Sequence, residues 1–166
     1  IILTTDKRGL KYLSEIKEIN LKKITSSPLV KKNIFRLIYS VFLICYSTVK
    51  SLFLLSLNRP HMIIGMGGYS SFPVCIAATI LRIKFIIYEN NLIIGKANKY
   101  LLDFAEKVFV SYKDLKGIKE KNKKKVIQVG NIIRQEIIEF NNYDDLKNEF
   151  DIINILVLGG SQGAKI

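Results

Sequence analysis

The sequence predicts an α/β protein built on a Rossmann-like parallel sheet, followed by the opening of a second unit of the same kind. Three observations carry this. Short β-branched runs alternate along the chain with segments of helical periodicity, the rhythm of parallel strands joined by right-handed crossovers. Two apolar runs open into closely spaced glycines, Gly65-Met66-Gly67-Gly68 and Gly159-Gly160-Ser161-Gln162-Gly163, as buried strands do when they enter a tight turn that starts a helix. Finally, 49% of the 166 residues are hydrophobic, enough for one domain with a real core plus part of another.

Residues 1–5 read as the first strand, and Asp6 can cap a short helix to about Leu13, with Lys7, Arg8 and Lys11 on its wet side. Residues 15–24 alternate weakly and are ambiguous. Ser26-Ser27-Pro28 supplies a turn and a helix start for the long apolar stretch 29–57. Asn58-Arg59-Pro60 then turns the chain into a strand at 61–64, a glycine loop at 65–71 and a helix of small residues at 72–81. A strand at 84–88 ends on the polar cluster Glu89-Asn90-Asn91, and a helix at 95–105 carries Ala97, Tyr100, Leu101 and Phe104 at helical spacing. Strands at 108–110 and 126–129 bracket the lysine-rich segment 113–125. Residues 141–150 read as a short helix and 152–158 as a strand of the second unit. The boundary near 137–142 divides the chain into an N-terminal domain, 1–138, and the beginning of another, 139–166. Residue 1 is Ile, and the helix after Gly163 stops at Ile166, so both ends read as cuts.

A net charge of +12 implies attraction to polyanions, and composition alone does not choose between nucleic acid, an anionic membrane and a functionless compositional bias. The 119–125 lysine run lacks interleaved aromatics, which favours a solvated loop; no nucleic-acid partner is expected. Cys45 and Cys75 are too isolated for a disulfide framework, and each is expected to be a small core residue. His61, the single histidine, sits at the end of its strand opposite the expected site. No metal-ligand spacing is present, so no metal is expected.

The stretch 29–57 has three open readings. Its apolar core is broken by Ser40, Tyr46, Ser47 and Thr48, short of the roughly 20 uninterrupted apolar residues of a spanning helix. It also suits a helix packed on the sheet, or one whose outer face, Phe35, Ile38, Tyr39 and Phe42 with nearby basic residues, rests on anionic lipid.

Ligands of open parallel sheets bind beyond the carboxyl ends of the strands. That rule aligns 65–71, Glu89 to Asn91, Ser111 and Asn131 along one edge. A dinucleotide fingerprint fails there, because Ser70 stands where the third glycine belongs; a P-loop fails for want of Gly-Lys-Ser/Thr at the required spacing. Glu89 is the candidate carboxylate, either a general base or a hydrogen-bonded structural acid.

Three groups of residues, in order and spacing, resemble the bacterial peptidoglycan N-acetylglucosaminyltransferases that complete lipid II. They are Gly65-Met66-Gly67-Gly68-Tyr69-Ser70-Ser71-Phe72-Pro73 with Glu89-Asn90-Asn91 and Gly95-Lys96-Ala97-Asn98, then Val129-Gly130-Asn131-Ile132-Ile133-Arg134, then Leu158-Gly159-Gly160-Ser161-Gln162-Gly163-Ala164. The resemblance implies a two-domain glycosyltransferase B fold that moves N-acetylglucosamine, with inversion and without a metal or cofactor, from its UDP donor to undecaprenyl-pyrophosphoryl-N-acetylmuramyl-pentapeptide. It also implies peripheral attachment to an anionic membrane surface at the cytoplasmic face, through Lys31, Lys32, Phe35, Arg36, Ile38, Tyr39 and Phe42. On the same basis Asn91, Arg134, Ser161, Gly159, Gly160 and Gly163 are donor-binding, and Gly67, Gly68 and Tyr69 face the acceptor's pyrophosphate. The family's histidine-bearing first glycine loop would precede Ile1 and most of the donor domain would follow Ile166, so the catalytic residue is unassigned, with Glu89 the one candidate. The chain alone is expected to lack transferase activity. Tyr88 replaces a histidine common before the Glu, and Ile132 a proline.

Overall fold

The computed structural model describes residues 1–13, 20–25 and 34–140. The second glycine turn, the 152–158 strand and the 141–150 helix lie outside the described residues, as do Lys31, Lys32, Gly159, Gly160, Ser161 and Gly163. The chain divides into two compact units, Ile1–Asn131 and Ile132–Ile166.

The first unit is α/β with parallel sheets. Strands β1 (Ile2–Thr5) and β2 (Asn20–Lys23) pair in one sheet, and β3 (Ile63–Gly65), β4 (Phe85–Glu89), β5 (Lys107–Val110) and β6 (Val126–Gln128) form a second in that order. Every pairing is parallel, with Ile64 beside Ile86, Ile87 beside Val108 and Val110 beside Gln128. Helices α1 (Lys7–Leu13), α2 (Ile34–Asn58), α3 (Gly68–Ile80), α4 (Lys96–Leu101) and α5 (Glu120–Lys123) supply the connections. All five residues of β4 are buried, which is why Phe-Ile-Ile-Tyr-Glu reads as a continuous run without alternation. The main core gathers Phe85, Ile87, Leu101 and Ala105 with Val74, Cys75, Ala77 and Ala78 of α3, and a smaller one joins Ile94, Leu102, Val108 and Val110.

Local signals explain most boundaries. Asp6 caps α1, its Oδ1 accepting from the Gly9 N–H at 3.0 Å. The ambiguous 15–24 segment resolves at its end into β2, followed by the fully buried Ile24. Helix α3 begins at Gly68, four residues before its predicted start, so Pro73 lies inside it. Proline lacks the N–H that would reach the Tyr69 carbonyl, and separately the Ser71 hydroxyl donates to the Gly67 carbonyl at 2.8 Å, which steadies the first turn. The predicted 95–105 helix is shorter, ending at Leu101, and just beyond it Lys125 Nζ satisfies the Leu102, Asp103 and Ala105 carbonyls at 3.1, 3.1 and 2.8 Å. The lysine-rich segment is therefore not simply a solvated loop. It contains α5, and Asp103 accepts from Asn122 and Lys121 there, contacts that hold the Asp103 carboxyl below its ordinary range.

One core assignment is corrected. Cys75 is buried, and loss of solvent pushes its thiol up to about 12. Cys45 is exposed, because α2 buries Ser40, Ser47, Ser51 and Leu55 and turns its larger apolar residues outward. In the second unit, α6 (Gln135–Phe140) is described where the sequence reads as a connection.

Candidate functional site

The carboxyl ends of β3 and β4 open on a cleft of about 290 Å³ lined by Met66–Tyr69, Tyr88–Asn91 and Gly95–Asn98. The first glycine loop and the Glu89-Asn90-Asn91 cluster thus meet at one edge, and the start of α4 joins them.

Glu89 organises this edge. It is buried, and its two carboxylate oxygens receive four N–H donors: Oε1 accepts from the Asn91 backbone at 3.1 Å and Asn91 Nδ2 at 2.7 Å. Oε2 accepts from the Gly95 backbone at 2.8 Å and Asn98 Nδ2 at 3.0 Å. A strand end, a turn and a helix start are held by one side chain, and the turn presents the exposed Asn91. A carboxylate filled on both oxygens is a structural acceptor, so of the two sequence readings the hydrogen-bonded acid is the one this geometry favours.

Asn98 is the site residue that the sequence left without a role. Its Nδ2 also lies 3.4 Å from the Tyr88 carbonyl, which fixes the amide's orientation, and its buried Oδ1 accepts no hydrogen bond among the described residues. Gly67 lies against it: a Cβ there would sit 3.3 Å from Asn98 Nδ2, on a backbone with φ of +78°. Both facts favour glycine. The signal was present in Gly95-x-x-Asn98, one helical turn that returns the amide to the strand end.

A second network ties the ends of β4, β5 and β6. The Tyr88 hydroxyl lies 2.9 Å from Ser111 Oγ and 3.1 Å from the Gly130 carbonyl, and Ser111 Oγ donates to Asn90 Oδ1 at 2.6 Å. Since Ser111 has a single hydroxyl hydrogen and gives it to Asn90, Tyr88 donates to Ser111, to Gly130 or, at 3.5 Å, to Asn90 Oδ1. Ser111 and Gly130 are thereby drawn to the site's edge, next to Asn131, the last residue of the first unit. Arg134 belongs to the second unit, where it is exposed and its carbonyl accepts the Ile137 N–H at 3.1 Å at the start of α6.

Residues 1–110 match the glycosyltransferase family 28 N-terminal domain. The chain belongs to this family. Among its family relatives is a Pelagibacter ubique protein, 37% identical over 168 positions, named UDP-N-acetylglucosamine--N-acetylmuramyl-(pentapeptide) pyrophosphoryl-undecaprenol N-acetylglucosamine transferase; the match takes in 100% of this chain and 45% of that protein. A Francisella tularensis protein of the same name is 36% identical over 149 residues, 88% of this chain and 40% of its own length. The chain spans less than half the length of these relatives. A crystal structure of MurG from Acinetobacter baumannii superposes with a TM-score of 0.62 over 86% of this chain and 40% of that one, at 19% identity. The family 28 architecture is that of the glycosyltransferase B N-terminal domain, as the sequence predicted.

Proposed function

We propose that this chain supplies the acceptor-side domain of an inverting hexosyltransferase that moves N-acetylglucosamine from UDP-N-acetylglucosamine to undecaprenyl-pyrophosphoryl-N-acetylmuramyl-pentapeptide, in peptidoglycan synthesis. The observation that carries this is the Glu89-centred cleft in a family 28 domain whose relatives bear that transferase name. Gly67, Gly68 and Tyr69 line the cleft and receive the acceptor's pyrophosphate side, with the Gly67–Gly68 backbone open to close approach. Asn91, held by Glu89, contacts the donor sugar. Arg134, a permanent cation able to form bidentate contacts, joins Ser161 and the Gly159, Gly160 and Gly163 turn in holding the UDP diphosphate. Residues 139–166 begin the donor-binding domain. Glu89 acts by positioning rather than as the base that deprotonates the acceptor hydroxyl, since both of its oxygens already accept.

The protein works at the cytoplasmic face of the membrane, attached peripherally where Phe35, Ile38, Tyr39 and Phe42 are exposed on the first turns of α2 and Lys31, Lys32 and Arg36 add positive charge. The test is transfer of labelled sugar from UDP-N-acetylglucosamine to the lipid-linked acceptor by the full-length protein carrying this chain. Arg134→Ala and Asn91→Ala are each expected to cut turnover by about two orders of magnitude, the scale of a lost transition-state contact. Unchanged turnover in both contradicts the donor assignments, and absence of transfer in the unaltered protein contradicts the activity.

A further inference from the structure

Helix α2 is inside out. The side chains it buries are Ser40, Ser47, Ser51 and Leu55, while Tyr39, Phe42, Tyr46, Val49, Phe53 and Leu57 are all more than half exposed. At about 100° per residue these six fall within about 40° either side of one line, and the buried four lie on the opposite face. The stripe advances by a mean of about 3.6 residues per step, the repeat of a straight helix, so it does not spiral around the axis along its length of about 27 Å.

The buried face is built for close packing. Ser51 Oγ donates to the Ser47 carbonyl at 2.7 Å and Ser47 Oγ donates to the Thr25 carbonyl, so the hydroxyls are satisfied without holding the helix away from its neighbours. Lys50 Nζ reaches the Lys23 carbonyl at 3.0 Å, which ties the middle of α2 to β2. The helix is thus fixed to the domain from Ser47 to Leu55. Passage across a bilayer would drag β2, with exposed Lys22 and Lys23, into hydrocarbon.

We infer that α2 lies flat in the membrane interface through Leu57, with the C-terminal half of the stripe, Tyr46, Val49, Phe53 and Leu57, seated in lipid as fully as the N-terminal half. This rests on the peripheral attachment proposed above and extends it to twice the length and to a defined orientation. The occupant is an anionic bilayer. The face is straight and apolar, α2 contains no Asp or Glu, Arg36 and Lys50 flank the same side of the stripe, and the chain carries a net charge of +12. Exposed Tyr39 and Tyr46 have the amphipathic character of interfacial anchors.

The chain contains no tryptophan, so Phe42→Trp and Phe53→Trp, both at exposed positions, give single reporters. With vesicles of equal parts phosphatidylcholine and phosphatidylglycerol, both emissions are expected to shift to the blue, and both to be quenched more by bromines near the glycerol end of the acyl chains than by bromines at the methyl end. Val49→Asp with Phe53→Asp is expected to lower the partition coefficient at least tenfold. A shift at Phe42→Trp alone overturns the inference and leaves peripheral attachment standing. Deepest quenching of Phe53→Trp by methyl-end bromines overturns it in favour of a span. A concentration-dependent shift without vesicles overturns it in favour of a second copy of the chain. No shift at either position overturns the attachment itself, and the inference with it.

Discussion

Glu89→Gln is the sharpest test of how the cleft is built. The substitution is nearly isosteric, yet its amide nitrogen must replace one of two oxygens that each accept two N–H groups. Placed at Oε2 it faces the Gly95 N–H and Asn98 Nδ2; placed at Oε1 it faces the two Asn91 donors. Two hydrogen bonds become donor–donor contacts in either rotamer. Bonds to a charged acceptor contribute about 1.5–3 kcal/mol each, and the Asn91 pair can recover part of its loss from water, so the expected destabilisation is about 3 kcal/mol. For a chain of this size that corresponds to a fall of about 9 °C in the melting midpoint. The assay is thermal and urea unfolding followed by circular dichroism, with the urea m-value unchanged. A midpoint within about 1 °C of the unaltered chain would refute the account of Glu89 as a structural acceptor.

Other outcomes follow from the same geometry. Tyr88→Phe keeps the ring and removes the hydroxyl shared with Ser111 and Gly130, so it is expected to cost about 1 kcal/mol and to raise amide exchange at Gly130 and Asn131 before the rest of the sheet; uniform exchange contradicts it. Gly67→Ala and Gly68→Ala both place a side chain at positive φ, at about 1–2 kcal/mol, but only at Gly67 does the new methyl meet Asn98, so Gly67→Ala is expected to be the more damaging in urea unfolding. A thiol reagent at mildly alkaline pH is expected to label Cys45 and spare Cys75 until the chain unfolds. Because Cys75 stays protonated in the fold up to about 12 against an ordinary 9.0, its contribution to stability is intact below pH 9.0 and declines as pH rises toward 12. Cys75→Ala is expected to remove about 1.4 kcal/mol per pH unit of that decline, read as the difference between the two unfolding curves.

The parallel sheet was legible because buried β-branched runs and glycine turns are local signals. The cleft's outline was legible for the same reason: strand ends at Gly65 and Glu89 converge by topology alone. Its chemistry was less so. Whether Glu89 is a base or an acceptor depends on Gly95 and Asn98, six and nine residues on, returning to it in space, and spacing does not show that. The orientation of α2 was legible only in its first turns, where an outward Phe35, Ile38, Tyr39 and Phe42 was one of three readings, and the rest was hidden for a different reason. A helix with apolar residues on most faces has no unique inward side in sequence, and it was the packing of Ser40, Ser47 and Ser51 that turned the aromatic face outward and placed Cys45 at the surface. The early start of α3 was masked by Pro73, which reads as a helix-start signal but sits inside the helix.

The central claim is that this domain holds the lipid-linked acceptor in the cleft at the ends of β3 and β4. It is tested most directly by titrating the isotope-labelled chain with a short-chain polyprenyl-pyrophosphoryl-N-acetylmuramyl-pentapeptide and following amide chemical shifts. The account predicts saturable shifts concentrated at Gly67, Gly68 and Tyr69, with none of comparable size for the prenyl alcohol lacking both pyrophosphate and sugar. Shifts that avoid this edge, or no saturable binding, would contradict it.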